Sequence, residues 1–156
     1  MNSEEVEVAF CCSKKHFYFK VEKYYVLWYN WYIKVKGGKV MADSPLIIKS
    51  KAFALDVIQV CKELRVAKFE SALINQFLRS GTSIGANIRE AFYAHGKADF
   101  IAKLQIALKE CSETEYWIEL ILESGYYHDK TLLDKCIEIK KILIASLNTA
   151  KDKSNG

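Results

Sequence analysis

The chain is poor in turn-formers, with one proline and seven glycines in 156 residues. An all-β architecture needs many tight reversals, so this scarcity excludes one and leans the chain toward helix. No Cys-x-x-Cys pair occurs, and Cys11, Cys12, Cys61, Cys111 and Cys136 have no metal-like spacing. The last three lie on apolar helical stripes and read as reduced core residues of a cytosolic protein. No Glu-x-x-His occurs either, since Phe92 and Gly125 stand three residues before His95 and His128. That absence removes the di-iron ligand set a helical bundle can carry. The acidic first residues and the lack of an apolar run with a small-residue cleavage site argue against a secretory signal, and none is expected. The run "YYVLWYNWYI" (24–33) is ten residues long, half of the roughly 20 a membrane helix requires. No membrane partner is expected.

Strong charge is missing too. Residues 1–40 hold seven Lys against four Glu, while residues 41–156 hold 16 Lys plus Arg against 15 Asp plus Glu. The second segment is nearly neutral and does not by its bulk charge announce a nucleic-acid binder. What is present is apolar, at 51% of residues against 27% charged, which describes one folded domain.

Two segments differ in character. Residues 1–40 contain ten of the chain's twenty aromatics, and their β-branched and aromatic content favours a strand, hairpin or irregular arm over helix. A second reading takes them as a leader from an over-extended start, because Met41 follows Gly37-Gly38, whose codons could form a ribosome-binding GGAGG. Glycine codons incompatible with that run would remove this hypothesis.

Residues 41–156 read as the bundle domain. The first helical segment runs from about Ser50 to Leu64, with Ala54, Val57, Cys61 and Leu64 on one stripe beside Phe53 and Val60. The second spans about Glu70 to Ala94 and contains "RSGTSIGANIRE". Ile74, Leu78, Gly81, Gly85, Ile88 and Phe92 recur there at spacings of four and three. Both glycines therefore fall in the seam of a continuous helix, not in a phosphate-binding loop, which would need a preceding strand. Interior glycines cost about 1 kcal/mol each against alanine. A packing gain should offset this, with a neighbouring helix or a ring such as Trp117 pressed on the bare backbone. Gly96 is expected to cap this helix. The third runs from about Ala98 to Ser124 on a seam of Phe100, Leu104, Ala107, Cys111, Thr114, Ile118 and Ile121, capped by Gly125. The fourth, about Lys130 to Ala150, sets Leu132, Cys136, Ile139, Leu143, Ser146 and Ala150 in register. Four helices with short connections predict an all-α, antiparallel up-down-up-down four-helix bundle.

No catalytic constellation emerges. Glu110, Glu113, Glu115, Glu119 and Glu123 point in several directions around the third helix and read as a solvated or inter-subunit face. No cofactor or metal is expected. Arg79, Arg89, Lys97, Lys103 and Lys109 are the candidate phosphate contacts. Phe92, Tyr93, Tyr116, Tyr126 and Tyr127 exceed what a small bundle need bury and are the candidate oligomer interface.

"KSKAFALDVIQVCKEL" (49–64), "LRSGTSIGANIREA" (78–91) and "KADFIAKLQIALKECSETEYWIELILESGYY" (97–127) resemble the bacterial four-helix-bundle proteins encoded in 23S rRNA intervening sequences. The resemblance spans about Pro45 to Ala150. It implies an antiparallel bundle assembled as a homopentamer with a central channel. It extends to the accessory variability proteins of diversity-generating retroelements, which bind nucleic acid and a reverse transcriptase through basic surfaces. The helical region here carries only +1, a departure from that basic branch. The resemblance carries over no catalytic residue.

Overall fold

Pro45 opens the first helix at a position where its missing N–H costs nothing, since the first-turn donors have no intrahelical partner. The computed structural model describes residues 44–152, and the aromatic extension expected over 1–40 lies outside them. Four helices follow: α1 Pro45–Val66, α2 Ser71–Phe92, α3 Lys97–Glu123 and α4 Thr131–Asp152. Among the described residues there is no strand. The stretch Arg79–Glu90 is helical throughout.

Short connections make successive helices antiparallel neighbours. In space α1 packs on α2, α2 on α3, α3 on α4, and α4 closes onto α1. Cross-links show the alternation of direction. Cys61 Sγ points to the Ile74 carbonyl, while Gly85 further along α2 lies against Ser50 earlier in α1. Arg79 pairs with Glu113 and Glu90 with Lys103, again in opposite order along α2 and α3. Lys49–Glu138 at 3.0 Å and Asp56–Lys135 at 2.8 Å tie α1 to α4.

The core is the set of seams facing inward. All seven residues expected on the third seam are buried in α3. In α2 the buried set is Ile74, Phe77, Ser80, Gly81, Ile84, Ile88, Ala91 and Phe92. Leu78 and Gly85 sit half-buried at its edge, because a straight helix turns more slowly per residue than a strict four-three repeat and the seam drifts. For the same reason Leu147 is buried in α4 where Ser146 was expected, and Ala54 is only half-buried in α1. Cys111 and Cys136 face each other between α3 and α4 with sulfurs 3.6 Å apart. Each thiol also points at the other's backbone carbonyl at 3.5 Å, so small side chains let the two backbones approach. No helix among the described residues is long and apolar enough to cross a membrane.

The turns follow helix-capping chemistry, with one departure from expectation. After α3, Gly125 adopts φ +76° and its N–H reaches the Leu122 carbonyl at 3.2 Å, the expected left-handed cap. After α1 the same geometry is taken by Lys68 at φ 57°, with Lys68 N–H bonded to the Arg65 carbonyl and Phe69 N–H to the Leu64 carbonyl. Gly96 does not cap α2. It stands in extended conformation at the N-cap of α3, and Tyr93 closes α2 instead.

Candidate nucleic-acid interface

The two glycines of α2 turn toward α1, and each meets it differently. A methyl group on Gly81 would lie 2.9 Å from both γ-methyls of Val57, closer than real contacts allow. One on Gly85 would lie 3.5 Å from the Ser50 carbonyl oxygen, an ordinary contact. The atoms nearest both glycines thus belong to α1 and not to the Trp117 ring. Trp117, half-buried on α3, stacks at 5.0 Å on Tyr116 and donates its indole N–H to Glu113 at 3.3 Å. The nearest heavy atoms to Gly85 are backbone, so α1 and α2 run close together there.

Over this close approach, between the flanking side chains, lies a groove of about 330 Å³. Ser50, Lys51 and Ala54 of α1 line it with Thr82, Gly85, Ala86 and Arg89 of α2. Its floor is small because its residues are small. Lys51 and Arg89, both exposed, have no ion-pair or hydrogen-bond partner among the described residues. The two hydroxyls are already committed as donors. Thr82 Oγ1 donates to the Leu78 carbonyl at 2.8 Å, and Ser50 Oγ to the Ile47 carbonyl at 3.2 Å.

The opposite edge of α2 is built from bridged charges. Arg79 donates to Glu113 at 2.6 Å and to Gln76 at 3.2 Å. Lys103 donates to Glu90 at 2.5 Å, and that carboxylate holds the ammonium's pKa above its ordinary value. On α3 and α4, Lys140 is likewise raised by its hydrogen bond to Glu115.

The five predicted cations are therefore not brought together. Arg79 and Lys103 lie on the α3 edge and are paired, whereas Arg89 lies on the α1 edge and has no partner among the described residues. Lys97 begins α3 and Lys109 lies along it, both unpartnered among the described residues. Lys51 was missed. Its only sequence signal was the spacing of Ser50 and Ala54, small residues one turn apart on the helix that must meet the glycines.

The five candidate interface aromatics do not form one patch either. Phe92 is a core residue, 2% exposed and edge-to-face with Phe100 at 6.4 Å, because it completes the Ile84–Ile88 seam. It is unavailable to a partner. Tyr93 is 75% exposed at the α2–α3 turn. Tyr126 and the half-buried Tyr127 lie at the opposite end, where Tyr126 packs on Phe69 at 4.9 Å. A 22-residue helix separates those ends by about 33 Å. Burial raises the Tyr127 pKa, with Asp129 adding to it. Exposed aliphatic residues on α1, Ile48 and Leu55, form a further surface that sequence reasoning passed over.

Reactive chemistry is sparse. Burial pushes the Cys61 thiol up to about 11, and Cys136 is raised further by its hydrogen bond to Cys111 and by burial. Thiols in this state are poor nucleophiles and poor metal ligands. Among the described residues no cluster of three or more His, Cys, Asp or Glu is placed to hold a metal.

A closed ring of four antiparallel helices, with a charged groove between α1 and α2, defines a four-helix-bundle protein. Residues 43–145 match the family described as 23S rRNA-intervening sequence protein, and the chain belongs to that family. It is similar to a crystallised protein of unknown function from the S23 ribosomal protein family of Bacteroides thetaiotaomicron. The two are 45% identical with a TM-score of 0.64, the match covering 65% of this chain and 97% of that one. No curated protein matches.

Proposed function

We propose that the protein is a non-enzymatic, homo-oligomeric four-helix bundle that binds structured RNA, ribosomal RNA foremost, through phosphate contacts from surface Arg and Lys. The observation that carries this reading is that Lys51 and Arg89, which line one groove, and Lys97 and Lys109 on α3 have no ion-pair or hydrogen-bond partner among the described residues. An unpaired cation loses no internal partner when it meets a phosphate. The rRNA in the family's description supports the choice of ligand. Arg79 and Lys103 contribute less, because binding RNA would compete with Glu113 and Glu90.

The test is a salt titration of binding between the full-length protein and a structured RNA. Affinity falls steeply with added salt as counterions are released. Salt-insensitive binding, or none, contradicts the reading. Assembly is a separate part of it: a homopentamer is expected from the resemblance, and native mass measurement reads it directly.

A second reading is a protein-interaction scaffold, with a reverse transcriptase as one such partner. It is favoured by the outward apolar residues Ile48 and Leu55 of α1, the latter 59% exposed. A partner retained on pull-down after nuclease treatment would support it against the RNA reading.

A further inference from the structure

The groove between α1 and α2 has a chemistry narrower than positive charge. We propose that it binds a ribose–phosphate unit of an RNA backbone, with Lys51 and Arg89 holding the phosphate and Thr82 accepting a hydrogen bond from the ribose 2′-hydroxyl. This rests on the RNA reading above and names the ligand of one site within it.

The two cations flank a floor of Ala54, Gly85 and Ala86, where no side chain beyond a methyl keeps a backbone away. Neither cation has a partner among the described residues, unlike Arg79 and Lys103 across the helix. No aromatic residue lines the groove, so it offers no platform for base stacking, and recognition there is of backbone and not of sequence. The volume of about 330 Å³ stands at the small end of ligand sites, fitting one backbone unit and not a folded motif.

The hydroxyl supplies the discrimination. Thr82 Oγ1 has one proton, directed at the Leu78 carbonyl at 2.8 Å. The Arg79 carbonyl stands within 3.2 Å as a second acceptor for that proton, so the hydroxyl is satisfied as a donor within the helix and its lone pairs are left to accept. The donor a nucleic-acid backbone offers is the 2′-hydroxyl, which DNA lacks. Cations together with an acceptor hydroxyl therefore fit RNA better than DNA.

The experiment measures affinity by fluorescence anisotropy across a salt series, using the full chain. The probes are an RNA hairpin, the DNA hairpin of the same sequence and its 2′-O-methyl counterpart, which keeps the oxygen and loses the donor. Wild type should prefer RNA by roughly two- to tenfold, the worth of one hydrogen bond, over both analogues. The double variant Lys51→Ala, Arg89→Ala should lose more than tenfold, with a salt slope smaller by about 1.5 to 2. Thr82→Val should bring RNA down to the DNA level at unchanged slope, and Thr82→Ser, which keeps the acceptor, should restore the preference. Circular dichroism on each variant confirms that the helices persist. Wild type binding RNA while the double variant retains full affinity and slope overturns the groove and leaves the RNA reading standing. Equal binding of RNA and DNA by wild type overturns the ribose contact. No RNA binding by wild type removes both the reading and the site.

Discussion

The two edges of α2 solve the same packing problem by opposite means. Toward α1 the helix removes its side chains, and Gly81 and Gly85 bring backbone close to Val57 and Ser50. Toward α3 it extends them, and Arg79, Glu90 and Phe92 bridge to Glu113, Lys103 and Phe100. A bridged edge neutralises its charges. The edge closed by backbone leaves its flanking cations, Lys51 and Arg89, exposed and without a partner among the described residues. The difference teaches that equal counts of Lys and Arg on two faces of one helix need not mean equal capacity to bind a polyanion.

The comparison breaks most easily at Gly81. Gly81→Ala drives a methyl into both γ-methyls of Val57, a buried and β-branched side chain with little freedom to move. Overpacking of this kind costs about 1–3 kcal/mol, partly offset by the helix preference of alanine, and thermal unfolding should show a lowered Tm. Gly85→Ala has room for its methyl and should be neutral or stabilising by as much as about 1 kcal/mol. Equal and large losses at both positions would mean that the α1 edge is uniformly tight, contrary to the groove.

A smaller effect is expected at the turn between these helices. Lys68 occupies a left-handed conformation that costs a non-glycine residue on the order of 1 kcal/mol. Lys68→Gly should raise stability by about that amount, read as a shift in denaturation midpoint at unchanged slope.

The bridged edge should yield less still. A double-mutant cycle on Arg79 and Glu113, which are 55% and 33% exposed, should return a coupling of about 0.2–1 kcal/mol that fades with salt. The neighbouring pair gives a pH signature. Lys103 has a folded-state pKa above its ordinary value because of Glu90. Its contribution is therefore complete below the unfolded value of 10.5 and is lost as pH rises through the raised one. Glu90→Gln should flatten the alkaline limb of the stability profile slightly while leaving the neutral region in place.

The fold was largely legible because helical periodicity depends on burial alone. The α3 seam carries no charge from Phe100 to Ile121, and every residue expected there is buried. The glycine stretch was legible as helix because both glycines kept apolar register with Ile74 and Ile88. Boundaries were harder: α1 begins at Pro45 and not Ser50, since a proline reads as a breaker until it is seen to occupy the first turn. The turn at Lys68 gave no signal because a lysine took the left-handed conformation that glycine usually marks. The site was the least legible part. Nothing in sequence distinguishes Arg79 from Arg89, which stand ten positions apart on one helix. Their difference arises only when α3 supplies Glu113 to the first and α1 supplies no carboxylate to the second. Phe92 was placed at an interface for the same reason, since an aromatic surplus does not say which rings the core absorbs.

On the proposed RNA reading, partnership and not charge alone decides which arginine reaches a phosphate. Binding isotherms for Arg79→Ala and Arg89→Ala, against one structured RNA at one moderate salt concentration, test it most directly. Losing Arg89 should weaken affinity several-fold more than losing Arg79. Equal losses, or a greater loss at Arg79, would contradict it.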